Sequence, residues 1–143
     1  MTRHELREQI FKTVFQIPFY DGYVPALDLE DISGKESEDV DDILPEEIQK
    51  DIDYIDNKVT AIQDRVSEID NEIDAHSNSW KVARMGKTEL AILRVAVYEI
   101  LFDDDIPNAV AVNEAIELAK VYSDEKSAAF INGVLDGIIK KES

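Results

Sequence analysis

The sequence contains no cysteine. This excludes a disulfide framework, a thiolate metal site and a cysteine nucleophile. It has only two histidines, His4 and His76, too far apart in sequence to suggest a clustered zinc site. Glycine and proline are scarce, 5 and 4 in 143 residues, which favours long regular elements over a turn-rich β fold. No apolar run approaches the roughly 18–20 residues of a membrane span. The charged start Met-Thr-Arg-His-Glu-Leu-Arg-Glu lacks the apolar centre of a signal peptide. The expectation is a cytoplasmic protein without membrane contact.

Positive charge is also in short supply. Fifteen Lys and Arg face 32 Asp and Glu, a net charge of −17. A field of that sign repels nucleic acid at long range and suits a basic protein partner. Salt screens charges beyond roughly 8–10 Å, so a local basic patch can still act. The length and the 44% hydrophobic content are those of one domain with a packed core, residues 1–143.

The pattern along the chain is helical. Leu6, Ile10, Phe11, Val14 and Ile17 recur at three- to four-residue spacing, and Pro18 ends that helix. Residues 19–27 allow a turn and a short second helix. Residues 28–47 are dominated by Asp and Glu and read as a flexible acidic loop. Asp39, Asp41 and Asp42 lack the glycine and glutamate that a calcium loop needs at its sixth and twelfth positions.

From Pro45 onward Ile48, Ile52, Ile55, Val59, Ile62, Val66, Ile69 and Ile73 form an apolar seam of period 3.5. One long helix fits this seam, and so do two helices with a capping start at Ser67 and Asp70. The seam is expected to be core rather than a dimer interface. Thr88–Phe102 carries Leu90, Leu93, Val97, Ile100 and Leu101 and reads as a central helix that ends at Asp103–Asp105. Ala111–Tyr122 follows Pro107, with Val112, Ala115, Ile116 and Ala119 inward. Ser123 or Asp124 caps a last helix, Glu125–Ile139, with Ala128, Ile131, Leu135 and Ile138 inward.

Catalytic motifs fail one by one. Gly86-Lys87-Thr88 resembles the tail of a phosphate loop, but Lys81 stands where the motif requires glycine, and no strand precedes it. No nucleophile elbow exists. The expectation is a protein that is not an enzyme and has no cofactor.

Two basic clusters stand out on so acidic a chain. Arg3, His4, Arg7 and Lys12 lie in the first helix, where Arg3 and Arg7 at i, i+4 spacing, with Lys12 beyond them, can share an exposed face. Lys81, Arg84, Lys87 and Arg94 form the second, against Glu89 alone. Phe130 falls off the inner face of the last helix beside Lys126, where it could stack on an unpaired base or close the rim of the core. Asn113 and Asn132 suit bonding to neighbouring helix ends, and Gly133 suits a close helix approach.

The segment from Leu93 to Asp136 reads Leu-Arg-Val-Ala-Val-Tyr-Glu-Ile-Leu-Phe, an acidic turn with Ile-Pro, Val-Asn-Glu-Ala-Ile-Glu-Leu-Ala-Lys and Phe-Ile-Asn-Gly-Val-Leu-Asp. In this order the motifs closely resemble the NusB family of transcription antitermination factors, most clearly from Trp80 to Ile138. The resemblance implies an all-α fold of about seven helices in two small bundles, with a break in the residue 48–73 seam. It implies binding, with the ribosomal protein NusE, to single-stranded boxA RNA of ribosomal leader transcripts, in support of the RNA polymerase elongation complex. The implied RNA face is Arg3, His4, Arg7 and Lys12 with Lys126 and Phe130. The implied NusE face is Phe15, Glu89 and Tyr98. The free protein would be a monomer or homodimer. The first helix is thinner in arginine than many relatives, with Glu5 among its basic residues, which fits RNA binding as a heterodimer. The alternatives are an acidic protein-interaction module of the same fold, or the helper domain of a ribosomal RNA methyltransferase.

Overall fold

The computed structural model describes residues 1–16, 45–78 and 80–142. Among these the chain forms six α-helices and no strand: α1 Arg3–Gln16, α2 Glu46–Asp64, α3 Val66–His76, α4 Lys87–Phe102, α5 Asn108–Tyr122 and α6 Glu125–Glu142. A single 3₁₀ turn, Val82–Arg84, precedes α4. The short helix expected within residues 19–27 lies outside the described residues. So do most of the acidic loop and the rejected calcium ligands.

α1 opens with a capping box. The Glu5 amide donates to Thr2 Oγ1 at 3.1 Å, and the Thr2 amide donates back to Glu5 Oε1 at 3.0 Å. Glu5 therefore serves the helix terminus, and the donated bonds from Thr2 hold its carboxyl below the usual range.

The apolar seam breaks in two at Arg65, whose amide donates to the carbonyls of Gln63 and Ile62. The start at Ser67 and Asp70 is thus corrected. Arg65 takes the N-cap position of α3 without a side-chain cap, Ser67 is exposed inside the helix, and the Asp70 carboxylate binds Arg94 instead. The Arg65 guanidinium lies 4.3 Å from the centre of the Phe102 ring, which covers the corner. Ile55, Val59, Ile62, Ile69 and Ile73 are completely buried, so the seam is core. Each such side chain contributes about 1.5–3 kcal/mol on leaving water.

α4 lies at the centre and touches all five other helices. Its buried Ala91, Ile92, Leu93, Val95, Ala96 and Val97 join α1 on one side to α3, α5 and α6 on the other in one apolar cluster. α5 starts at Asn108, earlier than its apolar pattern suggests, because Pro107 suits the residue just before a helix. Asp124 caps α6, accepting the Ser127 amide at 2.8 Å, and this bond lowers the carboxyl's pKa. The expected close approach at Gly133 is corrected too. A Cβ there would meet nothing within 4 Å, whereas one on Gly137 would stand 3.0 Å from His76 Nδ1 on α3.

Candidate nucleic-acid and partner interface

The first basic cluster divides along α1. Arg7 was expected on an exposed face, but the structure buries it to 5% exposure. Its guanidinium forks onto Glu99 of α4: Nε donates to Oε1 at 3.0 Å and Nη2 to Oε2 at 2.9 Å. Lys58 of α2 donates to the same Oε2 at 2.7 Å and lies 3.3 Å from Asp103. One anion at 1% exposure thus joins three helices through two cations. Burial opposes the charge on Arg7 and Lys58, but the bonds and field of Glu99 outweigh it and raise both pKa values. With its fork directed inward, Arg7 leaves the proposed RNA face and becomes a framework residue.

The signal for this network was present in the sequence. Glu99 is a carboxylate in a helix that is apolar on most sides, and a buried carboxylate requires cations.

The other members of the cluster remain at the surface. Arg3 is exposed and lines an open groove of about 310 Å³ with Leu6, Tyr54, Asp103, Asp105 and Ile106. His4 is exposed, its Nδ1 2.7 Å from Glu114 Oε2, and this bond raises its pKa. Lys12 is half-buried, 3.8 Å from Glu8.

Most described cations are similarly engaged. Arg94 forks onto Asp70 at 2.9 and 2.8 Å, and Lys81 donates to the carbonyls of Asp74 and Ser77. Among the described residues Arg3, Lys81, Arg84, Lys87, Lys120 and Lys126 stand outside the ion pairs.

Lys126 and Phe130 line a cavity of about 390 Å³ at the start of α4 and α6, together with Trp80, Arg84, Met85, Gly86, Glu89, Asp124 and Ser127. Phe130 is half-buried, packed on the core with one side toward this cavity. Phe130 therefore closes the rim of the core and also lines the cavity. The family resemblance assigns neither Trp80 nor Arg84, of the second basic cluster, to a face. The single tryptophan beside the second basic cluster was the available signal.

Glu89 shares the same cavity, so a residue expected on the protein-partner face adjoins two expected on the RNA face. Its Oε1 accepts the hydroxyls of Ser123 at 2.8 Å and Ser127 at 2.7 Å. Burial tends to raise the carboxyl's pKa, but these bonds and its own amide outweigh it, and the pKa falls.

Phe15 is 45% exposed and lines a second, smaller pocket with Phe11, Lys12, Gln16, Thr88 and Tyr122. The Phe11 ring lies 5.0 Å from Tyr122 and 6.3 Å from Phe15. Thr88 places this aromatic pocket next to Glu89 in sequence. Tyr98 is not brought to it. Nine residues along α4 from Glu89 is two and a half turns, about 13 Å and the opposite side of the helix. There Tyr98 packs on Phe102 with ring centres 5.8 Å apart. Asn113 and Asn132, expected to bond helix ends, are exposed and form no side-chain bond among the described residues. No group of three potential metal ligands occurs among the described residues, and no described helix is long and apolar enough to cross a membrane.

Residues 4–140 match the NusB family. The chain is 46% identical to the transcription antitermination protein NusB of Agathobacter rectalis, over 94% of this chain and 97% of that protein. It is 39% identical to NusB of Natranaerobius thermophilus over 96% of this chain and 94% of the relative. Among solved structures, T. maritima NusB aligns with a TM-score of 0.75 at 34% identity, covering 99% of this chain and 92% of that one. A structure of the antitermination factors NusB and NusE in complex with dsRNA aligns with a TM-score of 0.72 at 25% identity, covering 97% and 96%. The matched residues 4–140 include α1, α2 and α4, which hold the ion cluster, and α6, which lines the larger cavity. The chain belongs to the NusB family.

Proposed function

We propose that this protein is a single-domain transcription antitermination factor that binds boxA RNA of ribosomal leader transcripts together with NusE and thereby supports RNA polymerase processivity. The carrying observation is a family match along almost the whole chain, joined to a structural neighbour described with NusE and RNA. The role is non-catalytic and cytoplasmic.

The geometry supports a division of labour. Arg3, His4, Lys12, Lys126 and Phe130 form the RNA-facing set, with Arg7 beneath as support. Phe15 with Tyr122, beside Glu89, forms the partner-facing set. A net charge of −17 disfavours stand-alone RNA binding. A basic partner such as a ribosomal protein adds phosphate contacts and reduces that repulsion.

The test is a fluorescence titration of a labelled boxA-like RNA with this protein, with and without NusE. The expected result is weak binding alone and tight, salt-sensitive binding of the pair. A pair that forms but ignores both single- and double-stranded RNA would favour the acidic interaction module instead.

A further inference from the structure

We infer that the cavity bounded by Trp80, Arg84, Lys126 and Phe130 receives one unpaired nucleotide of the bound RNA, its base against the two rings and its phosphate at the two cations. This rests on the RNA-binding function proposed above and adds Trp80 and Arg84 to it. Trp80, the largest apolar side chain in the molecule, is 55% exposed and lines the cavity.

The described residues beside it are tied down. The Ser77 hydroxyl donates to the Trp80 carbonyl, the Val82 amide donates to Asp74 Oδ1 at 2.7 Å, and Lys81 Nζ bonds two carbonyls of the preceding turn. A ring on backbone bonded in this way loses little freedom when a ligand stacks on it. The cavity, about 390 Å³, falls in the range of roughly 300–1,000 Å³ common for small-ligand sites.

Charge sets the orientation of the ligand. Arg84 and Lys126 form no ion pair with a described residue and remain available to a phosphate. The carboxylates on the wall are occupied, Glu89 by two serine hydroxyls and Asp124 by the Ser127 amide. Their negative charge keeps phosphate out of the interior and at the rim, while a neutral base can enter. Stacking on the aromatic rings is tolerant of base identity, so the site contributes affinity more than sequence choice.

Trp80 is the only tryptophan of this chain, so its emission reports on the cavity directly. Titrating the full-length protein with a boxA-like single-stranded RNA, in the presence of tryptophan-free NusE, should quench that emission. Trp80→Ala should weaken RNA binding by the pair about tenfold, with Trp80→Phe retaining most of the affinity. Arg84→Ala should reduce the salt slope. NusE binding without RNA should be unchanged in all three. Wild-type RNA affinity in Trp80→Ala, or loss of NusE binding in that variant, overturns the inference and in the second case makes the cavity a protein contact. If the wild-type pair binds no RNA, the proposed function fails with it.

Discussion

Arg7 and Glu99 face each other across the α1–α4 contact as a buried fork, Nη2 to Oε2 at 2.9 Å, with Lys58 on the same oxygen at 2.7 Å. Removing one cation leaves Glu99 with incomplete compensation. Arg7→Ala should therefore lower stability by about 3–5 kcal/mol, measured by urea denaturation. Within the fraction that remains folded, RNA affinity should hold. An unchanged denaturation midpoint with a large loss of RNA binding would return Arg7 to the RNA face.

The two glycines of the middle of α6 should respond unequally. Gly133→Ala adds a methyl into open space and gains helix propensity, so stability should rise by about 1 kcal/mol. In Gly137→Ala the new methyl stands 3.0 Å from His76 Nδ1, so the ring must give by a few tenths of an ångström. Thermal unfolding should show a gain for the first and a smaller gain or a loss for the second. Equal gains would mean that the α3–α6 contact yields freely.

His4 supplies a pH signature. Its bond to Glu114, then that residue's charge, raises its pKa above 6.5 against partial burial and the charge of Arg7, with Glu8 assisting. The folded state holds this proton more tightly than the unfolded chain. The stabilisation is complete below the unfolded value and is lost as pH rises through the folded one. An NMR titration should place the His4 midpoint above 6.5, and Glu114→Gln should lower it. RNA affinity should strengthen over the same descent in pH, since His4 gains its charge there.

Much of the fold was legible because apolar spacing records burial. The 48–73 seam, the central helix and the inner face of the last helix are positions where one side chain meets one core. The break at Arg65 was open because period 3.5 continues through it, and the corner is fixed by Phe102, which is distant in sequence. Arg7 was misplaced for a related reason. Spacing on α1 puts it beside Arg3, but only the packing of α4 brings Glu99 against it. The Trp80 cavity is assembled from a loop and two helices, so no local pattern records it.

The account rests on a few unpaired cations acting for an anionic protein, and the salt dependence of boxA RNA binding by the NusE complex tests it most directly. Each phosphate contact contributes a slope of about 0.7 in log affinity against log salt for single strands. Arg3→Ala and Lys126→Ala should each weaken binding and reduce the slope by about that amount, while Arg7→Ala should leave the slope as it is. Slopes and affinities indistinguishable from wild type in both surface variants would contradict it.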